Sequence, residues 1–512
     1  MLAIASLAAC LGLFLLLEPL VTYFWDSKKL RRFPNQNRLS GISNLGYILE
    51  RRRGFRSKNL HEVHKHHSVV RIGPNSLSFT TPSAIRSIYG HSTTCVKGDM
   101  YSALAGPRAS LLDVVHKGEH ARKRRLLSHA FATRNLEQWE FKVADKIQRL
   151  VRQFDYVCDE AEATTIDYRK WTNLFTTEAI ADIALSHHLG CLDRGSDLVT
   201  ISNPNGGDKV FGYIDCLHAG RRATSMVVWS TAWFPILRGV LVKLPGFFRS
   251  QWQKGHLYDE MIRHLTRQRI QRYHDGEELD DLVTCLLKDR EGRERDVETS
   301  EVDAEVSVLL DAGSDTTAIA LVHVMYYLLS NPIALARLRE EVDMVAKGTD
   351  IVPPYDYLKN LSYLRACLDE SMRLSPPVAF GVNRKTAPEG VLIDGHWIPG
   401  NTTVAVPAYT AHRNPNFFPE PEEYRPERWL EKGAREAQAS FIPFSTGARG
   451  CIGRNISYIE QTMLVATLLR RYDFALPHPG WHLTHEEAFN IWPGPMPLTI
   501  RRRHSTHEYS HA

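Results

Sequence analysis

The chain has 512 residues, of which 43% are hydrophobic, so it can bury a large core and is long enough for one big catalytic domain. Its net charge of +5 is too small to indicate nucleic-acid binding, and its short basic runs lack interleaved aromatic residues. The eight cysteines are scattered without a Cys-x-x-Cys pair, which argues against a zinc site or a disulfide framework and favours a reducing compartment.

The chain opens with an apolar segment. Residues 2–25 carry one charge, Glu18, and are about long enough to cross a bilayer as a helix. Four basic residues follow: Lys28, Lys29, Arg31 and Arg32. By the positive-inside rule, the rest of the chain then faces the cytoplasm. A cleaved signal peptide is the rival interpretation, disfavoured because the basic residues follow the apolar run. We therefore expect a single-pass protein of the endoplasmic reticulum membrane, with a transmembrane anchor over residues 1–25.

Beyond the anchor, the sequence predicts a linker over residues 26–45, one large domain over residues 46–503 and a polar tail over residues 504–512. Residues 69–72 and 76–79 predict a short β-hairpin, and residues 82–90 predict a helix.

The middle of the domain is helical by pattern, over residues 119–375, except for a polar loop near residues 193–209. Residues 378–410 and 475–502 are strand-like and rich in turns. The predicted fold class is therefore mainly α with a small β region, preceded by one N-terminal transmembrane helix.

One long apolar helix is predicted over residues 301–330. Ala312 and Gly313 fall in its middle, where glycine costs about 1 kcal/mol relative to alanine, so a reason for this glycine is expected. Asp315 and Thr316 follow directly. The hydroxyl can donate a hydrogen bond and the carboxylate can relay protons, whereas the alternative interpretation is a helix N-cap or a packing threonine.

The most informative window is residues 444–453, Phe-Ser-Thr-Gly-Ala-Arg-Gly-Cys-Ile-Gly. A thiolate that binds haem iron needs backbone N–H groups directed at sulfur and a porphyrin lying close to the backbone. Gly447, Gly450 and Gly453 remove side chains and permit positive φ. A helical pattern after Cys451 supplies a helix N-terminus that favours the thiolate. The alternative is a glycine-rich turn with one structural cysteine.

This window resembles the haem-binding signature of the cytochrome P-450 superfamily of haem-thiolate monooxygenases. Three further stretches match in the same order. Residues 313–317, Gly-Ser-Asp-Thr-Thr, look like the oxygen-activation motif of that superfamily. Glu370 and Arg373 match its Glu-x-x-Arg pair, and Arg428 matches the third member of that network. The resemblance covers nearly the whole chain and implies the cytochrome P-450 fold.

The resemblance also implies the cofactor and the residues around it. Haem b (iron protoporphyrin IX) would be bound through Cys451 as the axial ligand of the iron. Asp315 and Thr316 would be the catalytic acid–alcohol pair. Further residues of the cysteine loop would bind or cover the cofactor: Phe444, Gly447, Arg449 and Gly453. A buried network would give structural support to the haem pocket: Glu370, Arg373 and Arg428.

Residues 119–131 resemble the helix whose tryptophan and arginine contact the haem propionates in the family. Here His120 occupies the tryptophan position, and Arg124 lies one turn later. Both side chains can donate hydrogen bonds to a carboxylate, so the departure is expected to keep the role. Arg384 is a weaker propionate candidate.

No flavin or nicotinamide fingerprint of the Gly-x-Gly-x-x-Gly type follows a predicted strand. The resemblance therefore implies electrons from a separate protein, most simply a membrane-bound flavoprotein reductase that uses NADPH. Four basic residues are candidates for docking this partner: Arg122, Lys123, Arg125 and Arg454.

The predicted substrate pocket is mostly apolar and aromatic, which favours a small hydrophobic substrate. Its expected walls are Tyr101, Leu104, Leu111, Leu112, Val308, Leu309, Ala312, residues 377–380 and residues 489–492. An apolar segment over residues 227–248 is expected to line the entrance and touch the bilayer surface.

Residues 30–34, 70–75 and 119–131 look most like filamentous-fungal family members, including the benzoate para-hydroxylase group. Residues 492–498 look more like fungal members that tailor secondary metabolites. We therefore expect a biosynthetic oxidase of a polyketide, terpenoid or aromatic intermediate, with benzoate-type hydroxylation as the alternative. A haem-binding membrane protein without turnover is a further alternative, disfavoured by Asp315 and Thr316. Desaturation, coupling or rearrangement in place of oxygen insertion stays open.

Overall fold

The computed structural model describes residues 17–51, 54–160, 164–201, 207–345, 350–433 and 437–503. Of the predicted anchor, only residues 17–25 belong to these ranges, and they are helical. The predicted polar tail lies outside them. Within the described ranges, one helix is long and apolar enough to cross a membrane, Thr299–Ser330, and 72% of its most apolar stretch is buried inside the protein. It is therefore the core helix of the domain.

Helices make up most of the described chain, and we number them in order. They are α1 Leu45–Arg51, α2 Arg56–His64, α3 Pro82–Tyr89, α4 Asp99–Leu104, α5 Lys117–Ser128, α6 Thr133–Gln138, α7 Glu140–Glu160, α8 Tyr168–Leu185, α9 Cys191–Arg194, α10 Tyr213–Val227, α11 Phe234–Leu241, α12 Phe247–His274, α13 Leu282–Leu287, α14 Thr299–Ser330, α15 Pro332–Val345, α16 Tyr355–Leu358, α17 Ser362–Leu374, α18 Ala408–Ala411 and α19 Arg454–Arg471.

The strands are short and form small sheets. They are β1 Val69–Gly73, β2 Ser76–Phe79, β3 Val96–Lys97, β4 Thr164–Asp167, β5 Leu198–Ile201, β6 Lys209–Gly212, β7 Arg384–Lys385, β8 Val391–Ile393, β9 His396–Ile398, β10 Thr403–Ala405, β11 Tyr472–Ala475, β12 His485–Glu487, β13 Ile491–Pro493 and β14 Pro497–Arg502. The largest sheet has the order β1-β2-β10-β7-β3, and a second sheet has the order β11-β14-β4.

The predicted hairpin is confirmed, because β1 and β2 are antiparallel with Val69 opposite Phe79 and Val70 opposite Ser78. The helix predicted after it is α3, which has proline in its first turn and Thr81 as its cap, the hydroxyl accepting the Ala84 N–H at 3.2 Å. The fold class is confirmed as mainly helical with a small β region.

Two regions differ from the sequence predictions or add to them. The prediction of a polar loop near residues 193–209 is wrong in part. Strands β5 and β6 pair in antiparallel fashion, and the alternate residues Val199 and Ile201 of β5 are buried. In the predicted linker, Leu30 and Phe33 are 1% and 6% exposed and pack into the core beside the large sheet. That segment therefore contributes apolar contacts to the domain.

Helix α14 organises the site. It packs against α8, α12, α17 and α19, and α19 is the helix that follows Cys451. Gly313 has a packing reason: a Cβ atom there would lie 2.5 Å from Ile180 Cγ1 on α8. The missing side chain lets α8 and α14 approach each other, a packing reason that stands beside the room for dioxygen and substrate that the family resemblance implies.

Candidate active site

A cavity of about 660 Å³ lies between α14 and the cysteine loop. Most of the predicted pocket residues line it, including Tyr101, Leu104, Leu111, Leu112, Val308, Leu309, Ala312, Pro377, Val378, Phe380, Phe489 and Asn490. Three residues of the predicted walls do not: Ala379, Ile491 and Trp492. Ala379 and Ile491 pack together with Tyr409 instead, and Trp492 is 2% exposed behind α14. The size suits an organic cofactor with a small substrate.

The cysteine loop is shaped by backbone hydrogen bonds. The Cys451 N–H donates to the Phe444 carbonyl at 2.8 Å, and the Gly450 N–H donates to the Gly447 carbonyl at 3.0 Å. Gly447 has φ of +70°, and a Cβ atom there would lie 1.9 Å from the carbonyl oxygen of Tyr89 at the end of α3. Only glycine fits this position.

The sequence prediction that three glycines permit positive φ is wrong for two of them. Gly450 and Gly453 have φ of −59° and −80°. The second left-handed residue of the loop is Ser445, with φ of 56°. At Gly453 a Cβ atom would come no closer than 3.7 Å to Ile456 and 3.9 Å to the Cys451 sulfur. Gly453 therefore leaves open the space next to sulfur, where a flat cofactor would lie.

Cys451 is exposed in this structure, and its side chain lines the cavity. Burial raises the pKa of its thiol, and this effect is opposed by hydrogen bonds from the Gly453 and Arg454 N–H groups and by the Arg124 charge. These N–H groups belong to the start of α19, as the sequence predicts. Phe444 packs beside this site against Tyr458, with 5.3 Å between ring centroids.

The predicted propionate residues share the cavity with Cys451: His120, Arg124, Arg384 and Arg449. Arg449 donates to the carbonyls of Val114 at 2.6 Å and Val115 at 2.8 Å. Arg124 donates to the Gly450 carbonyl at 2.8 Å. Burial and the neighbouring Arg384 charge lower the pKa of Arg449 to about 10, and burial with the Arg449 charge lowers the pKa of His120 to about 4.

Sequence reasoning missed one member of this cationic cluster, Lys97 at the end of β3. Its ammonium donates to the Leu112 carbonyl, and burial together with Arg384 and Arg449 lowers its pKa to about 7. Its only sequence signal is a lysine in a short apolar strand. Within the described ranges, neither Lys97 nor the arginines at 124, 384 and 449 form an ion pair with a carboxylate. Buried cations without anions are costly, so this end of the cavity fits a cofactor with two carboxylates.

The carboxylate of Asp315 is placed differently from the prediction. Thr316 lines the cavity, but Asp315 is 2% exposed and points away from it. Its Oδ1 is hydrogen-bonded to His218 Nε2 at 2.8 Å. Its Oδ2 accepts hydrogen bonds from the Asn490 amide N–H at 2.6 Å and from the Trp492 indole N–H at 2.7 Å. Burial opposes ionisation of this carboxyl, but His218 and the three hydrogen bonds outweigh it and hold its pKa well below the usual value.

The Thr316 hydroxyl donates to the Ala312 carbonyl at 2.7 Å, one turn earlier in α14. The predicted acid–alcohol pair is thus divided between the two sides of the helix, with the alcohol on the cavity side. The imidazole of His218 also stacks on Trp492, with 4.2 Å between centroids. His218 was not found from the sequence, because nothing local indicates that α10 brings it to α14.

The residues predicted as structural support form a buried network away from the cavity. The Glu370 carboxylate accepts two hydrogen bonds from Arg373, at 2.8 and 2.9 Å, and one from Arg428, at 3.0 Å. Trp429 adds its indole N–H at 3.0 Å. Glu370 and Arg373 are fully buried, so the geometry suits a structural role in holding the segment before the cysteine loop.

One reductase-docking candidate is wrong. Lys123 is 4% exposed, and its ammonium contacts Glu301 at 2.7 Å and Glu305 at 3.0 Å inside the protein. Arg122 is exposed but engaged with Glu119 and Glu301. Arg125 and Arg454 are exposed, so these two keep a charge available to a partner.

The chain is similar to known proteins over nearly its full length. The family model described as Cytochrome P450 matches residues 38–495. The chain is 28% identical to benzoate 4-monooxygenase bphA of Aspergillus niger, over 98% of each chain. It is 30% identical to averantin hydroxylase of Dothistroma septosporum, over 99% of this chain and 93% of that protein.

The fold is also found among solved structures. The crystal structure of a cytochrome P450, CYP102L1, matches with a TM-score of 0.72 at 20% identity, and the match covers 92% of this chain and 99% of that one. Because the family model spans most of the sequence and the cavity contains both the cysteine loop and the cations that suit a haem, the chain belongs to the cytochrome P450 family of monooxygenases.

Proposed function

We propose that this protein is a haem-thiolate monooxygenase that uses O2 and electrons from an NADPH-dependent reductase to oxidise a hydrophobic substrate in fungal secondary metabolism. The observation that supports this most directly is one cavity that contains a cysteine thiol beside N–H groups and, next to it, four cationic side chains that form no ion pair with a carboxylate among the described residues.

Haem b, when bound, supplies the oxygen chemistry, with Cys451 as its iron ligand. Lys97, Arg124, Arg384 and Arg449, with His120, are proposed to hold its propionates. The Gly453 and Arg454 N–H groups favour the thiolate form of Cys451, and Phe444 covers the sulfur. Thr316 presents a hydroxyl to the cavity. Behind it, the Asp315 carboxylate holds a negative charge among the side chains of His218, Asn490 and Trp492.

The test is the reduced carbon-monoxide difference spectrum of the full-length membrane protein, with a Cys451→Ser variant. We expect a thiolate-type band in the wild type and its loss in the variant. Cys158→Ser, which changes a free cysteine outside the cavity, is the matched control and should keep the band. Absence of the band from haem-loaded wild-type protein would contradict the proposal.

The proposed electron donor is a membrane-bound flavoprotein reductase, docked at a surface that includes Arg125 and Arg454. Replacing Arg125 with glutamate should slow reduction without changing the carbon-monoxide spectrum. The proposed location is the endoplasmic reticulum membrane, with the catalytic domain on the cytoplasmic side. The exposed apolar side chains of Trp233, Ile236 and Val240 on and before α11 support contact with the lipid bilayer.

Two named relatives point to different substrates. Averantin hydroxylase supports a secondary-metabolite intermediate, and benzoate 4-monooxygenase supports aromatic para-hydroxylation as the second candidate. Product mass after incubation with reductase and NADPH distinguishes oxygen insertion from desaturation or rearrangement. A haem protein without turnover would consume no NADPH with any substrate.

A further inference from the structure

The wall of the cavity formed by α10, α12 and α14 contains a buried polar group that the sequence did not predict. Arg221 of α10 forms an ion pair with Asp311 of α14, and both side chains line the cavity. The remaining terminal nitrogen, Arg221 Nη1, is buried without a hydrogen-bond partner among the described residues. An arginine N–H in such a position is costly unless a ligand accepts from it.

Tyr258 of α12 adds a second buried donor group to this wall. Its hydroxyl makes no hydrogen bond of good geometry in the described part of the chain, although the Tyr213 hydroxyl lies close to it, and it interacts electrostatically with Tyr213, Asp311 and Arg221. The ring packs against Tyr213 with 5.5 Å between centroids, which fixes the position of the phenol oxygen. Two buried donors and one carboxylate therefore meet at the cavity surface.

The backbone holds this group in place. Gly220, next to Arg221, lies against Gly255 of α12, where a Cβ atom would come within 2.9 Å of the Gly220 Cα atom. The two glycines let α10 and α12 pack closely, which fixes Arg221 and Tyr258 relative to each other.

We propose that Arg221, Asp311 and Tyr258 bind a neutral part of the substrate that carries both a hydrogen-bond acceptor and a donor, such as a ketone together with a phenolic hydroxyl. This inference rests on the proposed function and names its substrate class. A carbonyl oxygen accepts from Arg221 Nη1, and a hydroxyl donates to the Asp311 carboxylate or pairs with Tyr258.

The charges at this wall favour a neutral group over a carboxylate. Asp311 already balances Arg221, so a substrate carboxylate would bring an uncompensated negative charge next to Asp311. A purely apolar substrate would leave the Arg221 and Tyr258 donors unsatisfied. The cations at the cysteine end of the cavity are assigned to the haem propionates, so they do not offer a second carboxylate site.

The test uses haem-loaded, full-length protein and three naphthalenes of similar size: 6-hydroxy-2-acetylnaphthalene, 2-naphthoate and 2-ethylnaphthalene. Affinity is measured by the spin-state shift and by equilibrium dialysis. We expect the hydroxyketone to bind tightest. Arg221→Met should lower the affinity for the hydroxyketone about tenfold or more, and Tyr258→Phe should lower it about threefold to tenfold. The affinity for 2-ethylnaphthalene should change less than about twofold in both variants. Arg249→Met, at an exposed arginine of α12, is the matched control and should change none of them.

Tightest binding of 2-naphthoate, lost in Arg221→Met, would overturn the neutral class and favour the benzoate-type alternative. Equal affinities for all three compounds in wild type and both variants would overturn the site itself. Tyr258→Phe removes a single hydroxyl group and keeps the ring, so it tests the site even if Arg221→Met fails to fold. The carbon-monoxide band is recorded on each sample, so failure of the proposed function shows as loss of that band and is distinct from failure of this inference.

Discussion

Two neighbouring turns of α14 carry acidic residues with opposite surroundings. Asp315 is buried behind the helix and receives hydrogen bonds from three side chains, and its pKa lies well below the usual value. Asp311, four residues earlier, opens to the cavity beside Arg221, and burial raises its pKa to about 6 despite that arginine. The comparison shows that the number of donors directed at a carboxylate, more than burial alone, determines its pKa.

The largest expected difference between the two turns is in turnover. Asp315→Asn removes the negative charge that pairs with the His218 imidazole behind Thr316, and general acid–base groups contribute about 10²-fold or more to rates. We expect kcat to fall about 100-fold with the carbon-monoxide band intact. The measurement is product formation with reductase and saturating 2-ethylnaphthalene.

Asp311→Asn is the matched control for this experiment, since it makes the same chemical change one turn away. With an apolar substrate that does not use the Arg221 site, its kcat should stay within about threefold of wild type. Equal losses in both variants would show that general damage to α14, and not the charge of Asp315, causes the effect.

The second difference is in stability, and here the two substitutions should have opposite signs at pH 8. Asp315→Asn leaves three donors without their charged acceptor and should lower the free energy of unfolding by about 2–3 kcal/mol. Asp311→Asn mimics the protonated form that the fold prefers, so it should raise the free energy of unfolding by about 1 kcal/mol. Urea unfolding of haem-loaded protein measures both, and a loss in both variants would contradict the environment assigned to Asp311.

A smaller effect tests one donor of the Asp315 network. Trp492→Phe removes an N–H that donates to a charged oxygen at 2.7 Å. Trp252→Phe removes an N–H that donates to the neutral Thr224 hydroxyl at 3.0 Å. The two indoles are 2% and 8% exposed, so their packing losses are similar. Because hydrogen bonds to charged groups are stronger, Trp492→Phe should lose about 1 kcal/mol more in urea unfolding. Equal losses would mean that Asp315 does not depend on this donor.

The sequence predicts the cysteine loop well because its chemistry is encoded locally. Gly447 is needed for a backbone conformation, and Cys451, Arg449 and Phe444 come with it within ten residues. The long α14 helix is also predictable, because it is continuously apolar.

The cavity wall formed by α10, α12 and α14 is less predictable from the sequence, because it depends on which face of each helix lies towards the cavity. Asp315 and Thr316 are adjacent in sequence, yet only the tertiary packing places one behind the helix and the other in the cavity. One usable signal was present on α10, where residues lining the cavity recur at helical spacing: Cys216, Leu217, Gly220, Arg221 and Thr224. An arginine within such a mostly apolar stripe indicates a polar contact inside the protein.

The smallest effect is a pH dependence that separates the two acids. The folded pKa of Asp311, about 6, lies above the unfolded value of about 4, so proton uptake stabilises the fold as pH falls between these values. The gain in the free energy of unfolding from Asp311→Asn should therefore be complete above pH 6 and disappear by about pH 4. Asp315 has a folded pKa below its unfolded value, so its contribution is present above about pH 4 and is lost only at lower pH.

Between pH 6 and 4, only the difference between wild type and Asp311→Asn should change, while the deficit of Asp315→Asn stays constant. Urea unfolding at several pH values in this window measures both differences against the same wild-type curve. An Asp315→Asn deficit that grows as the pH falls from 6 to 4 would place the folded pKa of Asp315 above its unfolded value. Its three donors would then not outweigh burial, and the contrast between the two turns of α14 would fail.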